Sequence, residues 1–270
     1  MIARAVRTVV VGLAVVALAI FVVGPLVWLA SRAFAESWDY PNLWPTGFTL
    51  RWWRVVLDDP AMGIAVNNSF TFAILTVLIS MVVCLPAAYA FSRYEFLGRR
   101  VMLVSLFATN AFPKMGLWVA LASLFYAFNL MQTVLGILVV HVLGTVVFMT
   151  WIPAAAFSSV PRSLEEAARD AGAGPLRVFF TITLPMALPS IMVAVIMSFI
   201  SSFDEAQGTW LVGAPDYMTM PTQMYSLVLN YPNQVSAVFS IMLAIPSVLL
   251  MLLVRKQIFG GQLAEGFQIK

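Results

Sequence analysis

Residues Glu165 to Pro185 read EEAARDAGAGPLRVFFTITLP, a short polar stretch set between long apolar runs. Glu165, Glu166, Arg169 and Asp170 recur at helical spacing and predict one charged face on a short helix. Ala167, Ala168 and Ala171 make the other face small. Gly172, Gly174 and Pro175 end that helix, because glycine takes the left-handed stop and proline cannot continue a helix. A second helix then begins and returns to apolar sequence through Ile182, Leu184 and Pro185. A small-faced helix with a charged rim between two apolar runs is shaped to dock on something.

The rest of the chain decides where that element sits. The 270 residues are 61% hydrophobic and only 10% charged, and the mean hydropathy is +0.93. A soluble domain carries about 25% charged residues, so this chain does not cover itself with water. Uninterrupted apolar runs of about twenty residues predict an all-α integral membrane protein rather than a barrel. Six spans are expected, at about 7–31, 66–91, 101–127, 130–156, 178–203 and 235–254. The first follows Arg4 and Arg7 as a secretory signal would. It lacks a small-residue cleavage site and its apolar run is too long, so it reads as an uncleaved helix. The third is interrupted by Asn110, Pro113 and Lys114. Residues 32–64 hold Trp38, Tyr40, Trp44, Trp52 and Trp53, types favoured at headgroup level. Within them Phe48 to Val56 reads as a short interfacial helix ending near Asp58-Asp59-Pro60. Polar sequence extends from Asp204 to Asn233, and the tail 255–270 is polar and glycine-rich.

Basic residues set the orientation. With the N-terminus in the cytosol, the inside segments carry Arg4, Arg7, Arg93, Arg99, Arg100, Arg162, Arg169, Arg177, Arg255, Lys256 and Lys270. The outside segments carry only Arg32, Arg51 and Arg54. This asymmetry follows the positive-inside rule with both termini cytosolic. It also puts the stretch 157–177 in the cytosol.

Several functions are disfavoured. A net charge of +3, scattered along the chain, does not suggest nucleic acid. Cys84 is alone, so no disulfide framework exists. His141 is the single histidine and sits in apolar sequence, a packing position rather than a metal ligand. The chain contains no G-x-x-x-x-G-K-[ST], and the pairs Gly172/Gly174 and Gly260/Gly261 lack the lysine that phosphate cradling needs. Energy must come from a separate subunit or from an ion gradient.

The opening stretch resembles the EAA loop of binding-protein-dependent ABC importer permeases. That pattern is E-A-A, three residues, Gly, nine residues, then I-x-L-P. Glu166, Ala167, Ala168, Gly172, Ile182, Leu184 and Pro185 occupy its positions. The resemblance implies a type I importer permease, a single transmembrane domain over 1–270, in a bacterial cytoplasmic membrane. It implies that the loop 157–177 inserts a coupling helix into a cleft on a cytosolic ATPase and carries its closure into the membrane. The residues so assigned are Glu165, Glu166, Ala167, Ala168, Arg169, Asp170, Gly172, Leu184 and Pro185. The partners implied are a dimer of ATPase subunits, a homologous but non-identical second permease and an extracytoplasmic solute-binding protein. No cofactor is expected in this chain; ATP-Mg belongs to the partner ATPase.

Two further likenesses bear on substrate. Asn68-Ser69, Ala87-Ala88-Tyr89-Ala90, Arg93 and Gly98-Arg99-Arg100 resemble a run in the sugar-transport permeases related to the maltose permease subunits. So do Ala244-Ile245-Pro246, Arg255-Lys256 and the tail Gly261–Gly266. Phe203-Asp204-Glu205 and Met220 to Ser226 instead look like polyamine-type permeases. The expected solute is a carbohydrate or polyol, with a polyamine as the alternative. Candidate pathway residues are Asn110, Trp151, Asp204 and Glu205, since ionisable and polar groups near a span tend to face a cavity or a partner. An ion-coupled transporter would need buried charges in several spans and an internal repeat, and a membrane enzyme would need a catalytic cluster. Neither is visible.

Overall fold

In lipid every backbone amide must be satisfied within its own segment, so apolar runs of this length fold as helices. The computed structural model describes residues 2–108 and 113–259. Its elements are α1 (Ile2–Phe34), α2 (Arg51–Asp58), α3 (Pro60–Arg93), α4 (Arg99–Ala108), α5 (Lys114–Ala127) and α6 (Val134–Ser159). They continue as α7 (Arg162–Asp170), α8 (Pro175–Val178), a π-helical turn (Phe179–Thr183), α9 (Leu184–Phe203), α10 (Gln207–Gly213), α11 (Met220–Asn230) and α12 (Asn233–Phe259). Contacts divide the chain into two units, Met1–Gly63 with Met224–Ile245, and Ile64–Gln223 with Pro246–Lys270.

Among the described residues, five helices are long and apolar enough to cross a membrane: Arg7–Phe34, Pro60–Arg93, Val134–Ser159, Pro175–Phe203 and Asn233–Leu253. They fall on five of the six expected spans. The third expected span, 101–127, is not one helix. It is α4, of 10 residues, and α5, of 14 residues, which at about 1.5 Å per residue are each too short for a bilayer core of about 30 Å. Pro113 precedes α5 directly, with ψ 115°, outside the helical range, and it has no N–H to give to a preceding turn. The stretch from Asp204 to Asn233, read as polar connection, also holds two helices, α10 and α11.

In the first unit, the short helix expected within Phe48–Asp58 is present as α2, stopped at Asp59 ahead of Pro60. It is tied to the end of α1 by Trp52 Nε1, which donates to the Ala35 carbonyl at 2.9 Å. Trp53 packs against Phe34 with ring centroids 5.4 Å apart.

In the second unit, the principal interface is α6 on α9, joined by α3. Small and aromatic residues fill its lower part: Ala88, Phe91, Ala154, Ala156, Phe157, Ala187 and Ile191 are all buried. Higher up, Val77, Cys84, Met149 and Ala194 form a second buried group, so Cys84 is a packing residue. Hydroxyls link the helices directly, Ser80 to Thr145 at 2.9 Å. His141 completes the upper part. Its Nδ1 lies 2.6 Å from Ser202 Oγ and its Nε2 lies 2.8 Å from Thr209 Oγ1, clamping α6 to α9 and α10. Gly208 lets α10 close on the α5–α6 pair, because a Cβ there would run into Val140 and the ring of Trp118.

Candidate functional site

The stretch Glu165–Pro185 takes the form expected of it where its first helix ends. Helix α7 stops at Ala171, and Gly172 follows with φ +87°. The Gly172 amide donates to the Arg169 carbonyl at 2.8 Å, and the Ala173 amide donates to the Ala168 carbonyl at 2.9 Å. This six-to-one and five-to-two pair of bonds is a Schellman stop, which needs a left-handed residue at that position. Gly174 then caps α8 with Pro175 as its first residue.

The charged face is not uniform, and here the sequence reading is corrected. Glu166, Arg169 and Asp170 are exposed, as are Leu164, Ala167, Ala171 and Gly172. Glu165 is turned the other way and is only 3% exposed. Its Oε1 accepts from Arg93 Nη2 at 2.7 Å and from Thr183 Oγ1 at 2.6 Å. The same Arg93 nitrogen donates to the Val160 carbonyl at 3.1 Å. A carboxylate leaves water only when paired and hydrogen-bonded, and Arg93 supplies the charge. So the two adjacent glutamates have opposite destinations, Glu166 outward and Glu165 into the bundle.

Thr183 reaches Glu165 because of an irregular turn. Pro185 cannot donate to the Thr181 carbonyl four residues back, and its ring crowds that carbonyl. The helix responds by widening: the Leu184 amide bonds to Phe179 O, five residues back. Such π-turns are inserted into α-helices where a regular turn is obstructed, often at functional positions. Phe179 of the same turn packs edge-on against Tyr89, ring centroids 5.1 Å apart, and Tyr89 packs on Phe157 at 5.5 Å. Leu184 is half-buried and Pro185 exposed.

The candidate pathway residues are dispersed. Trp151 donates from Nε1 to the Leu103 carbonyl at 3.1 Å and packs on Phe107 at 4.6 Å, so its indole joins α6 to α4. Glu205 is 9% exposed and its Oε1 accepts from the Gly208 amide at 2.7 Å, the bond of a residue capping the start of α10. Asp204 is exposed at the end of α9. Asn110 and the tail Gly261–Gly266 lie outside the described residues. The Asn68-Ser69 pair binds a distant segment: Asn68 Nδ2 donates to the Met218 carbonyl, and Ser69 Oγ accepts from the Met220 amide, each at 2.8 Å.

Sequence reasoning named neither Arg93 nor Thr183 as a site residue. Arg93 had a signal, a lone arginine at the end of a span inside a run already singled out for its likeness to permeases. Thr183 had none, since it fills the unspecified place in I-x-L-P.

Residues 61–258 match the family described as binding-protein-dependent transport system inner membrane component. The chain belongs to that family. Membership makes it a membrane-embedded transport subunit. The maltodextrin transport system permease protein MdxG of Bacillus subtilis is 27% identical over 259 residues, covering 92% of each chain. The putrescine transport system permease protein PotI of Escherichia coli K12 is 29% identical over 215 residues, 77% of this chain and 76% of that protein. Among solved structures, a chain of a bacterial ABC transporter involved in the import of the acidic polysaccharide alginate superposes with a TM-score of 0.74. That match has 20% identity and covers 94% of this chain and 97% of the other, so the fold is shared.

Proposed function

We propose that this chain forms half of the translocation path of an ATP-driven importer for a carbohydrate or polyol. The observation that carries the substrate class is the likeness to a maltodextrin permease along 92% of both chains. A sulfoquinovosyl glycerol permease of Agrobacterium fabrum, 24% identical over 251 residues, supports the same class. The polyamine reading rests on the putrescine permease, whose likeness spans 77% of this chain, and on Phe203-Asp204-Glu205.

In this reading α4 and α5 together make the third of six crossings, and both termini lie in the cytosol. Helix α7 is the coupling helix. Its outward residues Glu166, Ala167, Arg169, Asp170 and Gly172, with Ala168 half-buried beside them, meet a cleft on one subunit of an ATPase dimer. That dimer holds the ATP-Mg. A second permease, homologous and non-identical, completes the path, and an extracytoplasmic binding protein delivers the solute. Closure of the ATPases moves α7 and, with it, the bent fifth span around Leu184 and Pro185. Asp204 lies at the outer mouth.

The test is reconstitution of the chain with its co-purifying subunits and binding protein, followed by ATPase measurement with sugars, polyols and polyamines. Stimulation by a sugar or polyol alone is expected. Stimulation by a polyamine alone would replace the substrate class, and no coupled hydrolysis under any condition would overturn the importer reading.

A further inference from the structure

We propose that Arg93 and Thr183 are positioning residues that make α7, the end of α3, the end of α6 and the π-turn into one rigid strut, joined at Glu165. The geometry is concentrated. Arg93 Nη2 bridges the Val160 carbonyl, where α6 ends, and Glu165 Oε1. Glu165 Oε1 in turn bridges Arg93 and Thr183. Two atoms therefore hold four chain segments together. The side chains of the ion pair are 8% and 4% exposed, so water does not compete for either partner. Around the joint, the rings of Tyr89 from α3, Phe157 from α6 and Phe179 from the π-turn interlock with centroids 5.1 to 6.1 Å apart.

A buried pair resists separation, because parting it strands a charge out of water. The joint is therefore built to stay shut while the pieces it connects move together. A push on the outward face of α7 enters three membrane helices at once, through Arg93, the Val160 carbonyl and Thr183. Coupling between distant sites needs an element with defined arrangements, and a strut that keeps its own shape hands the whole displacement to the spans. This inference rests on the reading of α7 as the ATPase-docking helix and adds the inward half of the connection.

The experiment uses the assembled transporter in lipid nanodiscs with Cys84→Ser and spin labels on Leu97→Cys and Ala171→Cys, two exposed positions flanking the joint. The distance between labels is measured without nucleotide and in the ATP–vanadate-trapped state. The expected result is one narrow distance, the same in both states. Glu165→Ala is expected to broaden it and let it change on trapping. Glu165→Gln, which keeps an acceptor oxygen for both donors but not the charge that balances Arg93, is expected to broaden it less than Glu165→Ala. A distance that changes on trapping without further substitution, or one left narrow by Glu165→Ala, overturns the strut. If Glu165→Ala does not assemble, Thr183→Val removes one donor at nearly unchanged volume and is read in the same way. The docking reading fails separately: if Ala167→Trp on the outward face leaves the ATPase bound and active, α7 is not its contact, whatever the labels report.

Discussion

Replacing His141 tests whether the bundle is held by hydrogen bonds or by packing alone. The ring is 1% exposed and contacts two hydroxyls, Ser202 at 2.6 Å and Thr209 at 2.8 Å. In its neutral form an imidazole donates from one nitrogen and accepts at the other, and each hydroxyl can complement either role. His141→Phe keeps a ring in the site and removes both bonds. Hydrogen bonds between transmembrane helices contribute on average about 0.6 kcal/mol and at most about 1.7, so the pair sets a loss of about 1–3 kcal/mol. His141→Ala adds a cavity where a ring was, and truncating a buried ring costs about 3–5 kcal/mol. The assay is reversible unfolding in mixed micelles with Thr209→Val added in a double-mutant cycle. Thr209→Val removes the hydroxyl that His141→Phe strands, so the double variant is expected to lose less than the two single losses combined. A His141→Phe protein as stable as the parent, or losses that add within about 0.5 kcal/mol, would refute the clamp.

Three other outcomes are expected. Gly172→Ala meets open space but forces a Cβ into a left-handed residue at φ +87°, a cost of about 1–2 kcal/mol; Gly172→Asn costs less, and thermal unfolding of both variants ranks them. Gly208→Ala drives a methyl against Val140 and against Trp118 ring carbons at 3.0 and 3.1 Å, and overpacking of this kind lowers stability by about 1–3 kcal/mol in the same unfolding assay. Burial raises the Glu205 carboxyl above its ordinary 4.5, against the Gly208 amide and the charge of Lys114. A native value above the unfolded one gives stability that is complete below the unfolded value and is lost as pH rises through the native one. Glu205→Gln therefore flattens the fall in stability on the alkaline side of pH 4.5, and a variant that keeps the parent's slope there would show that Glu205 does not titrate with folding.

Five long apolar helices and the stop at Gly172 were legible because lipid admits few solutions: an apolar run of sufficient length is a helix, and glycine can end one where a side chain resists. Pro113 marked an interruption of the stretch 101–127, but hydropathy averages over it and so did not reveal that the stretch divides into two separate helices. Helices α10 and α11 were missed because they are short and their apolar content is interleaved with polar residues. Glu165 was placed on the charged rim by its periodicity; nothing in local spacing reveals that an arginine 72 residues earlier waits to pair with it. Trp151 and Glu205 were singled out by residue type, which does not distinguish a solute contact from a helix contact or a cap.

The wide turn before Pro185 has a consequence for how the segment Pro175–Phe203 is counted. Its buried positions are Val178, Thr183, Ala187, Ile191, Val193, Ala194, Ser198, Ser202 and Phe203. From Val178 to Thr183 the step is five residues, whereas Thr183, Ala187, Ile191, Ala194, Ser198 and Ser202 follow one another at three or four. A helical wheel drawn through the whole segment as if it were regular assigns Val178 to the wrong side. The wide turn Phe179–Thr183 takes one residue more than a regular turn, so the residues before it stand about 100° out of phase with those after it.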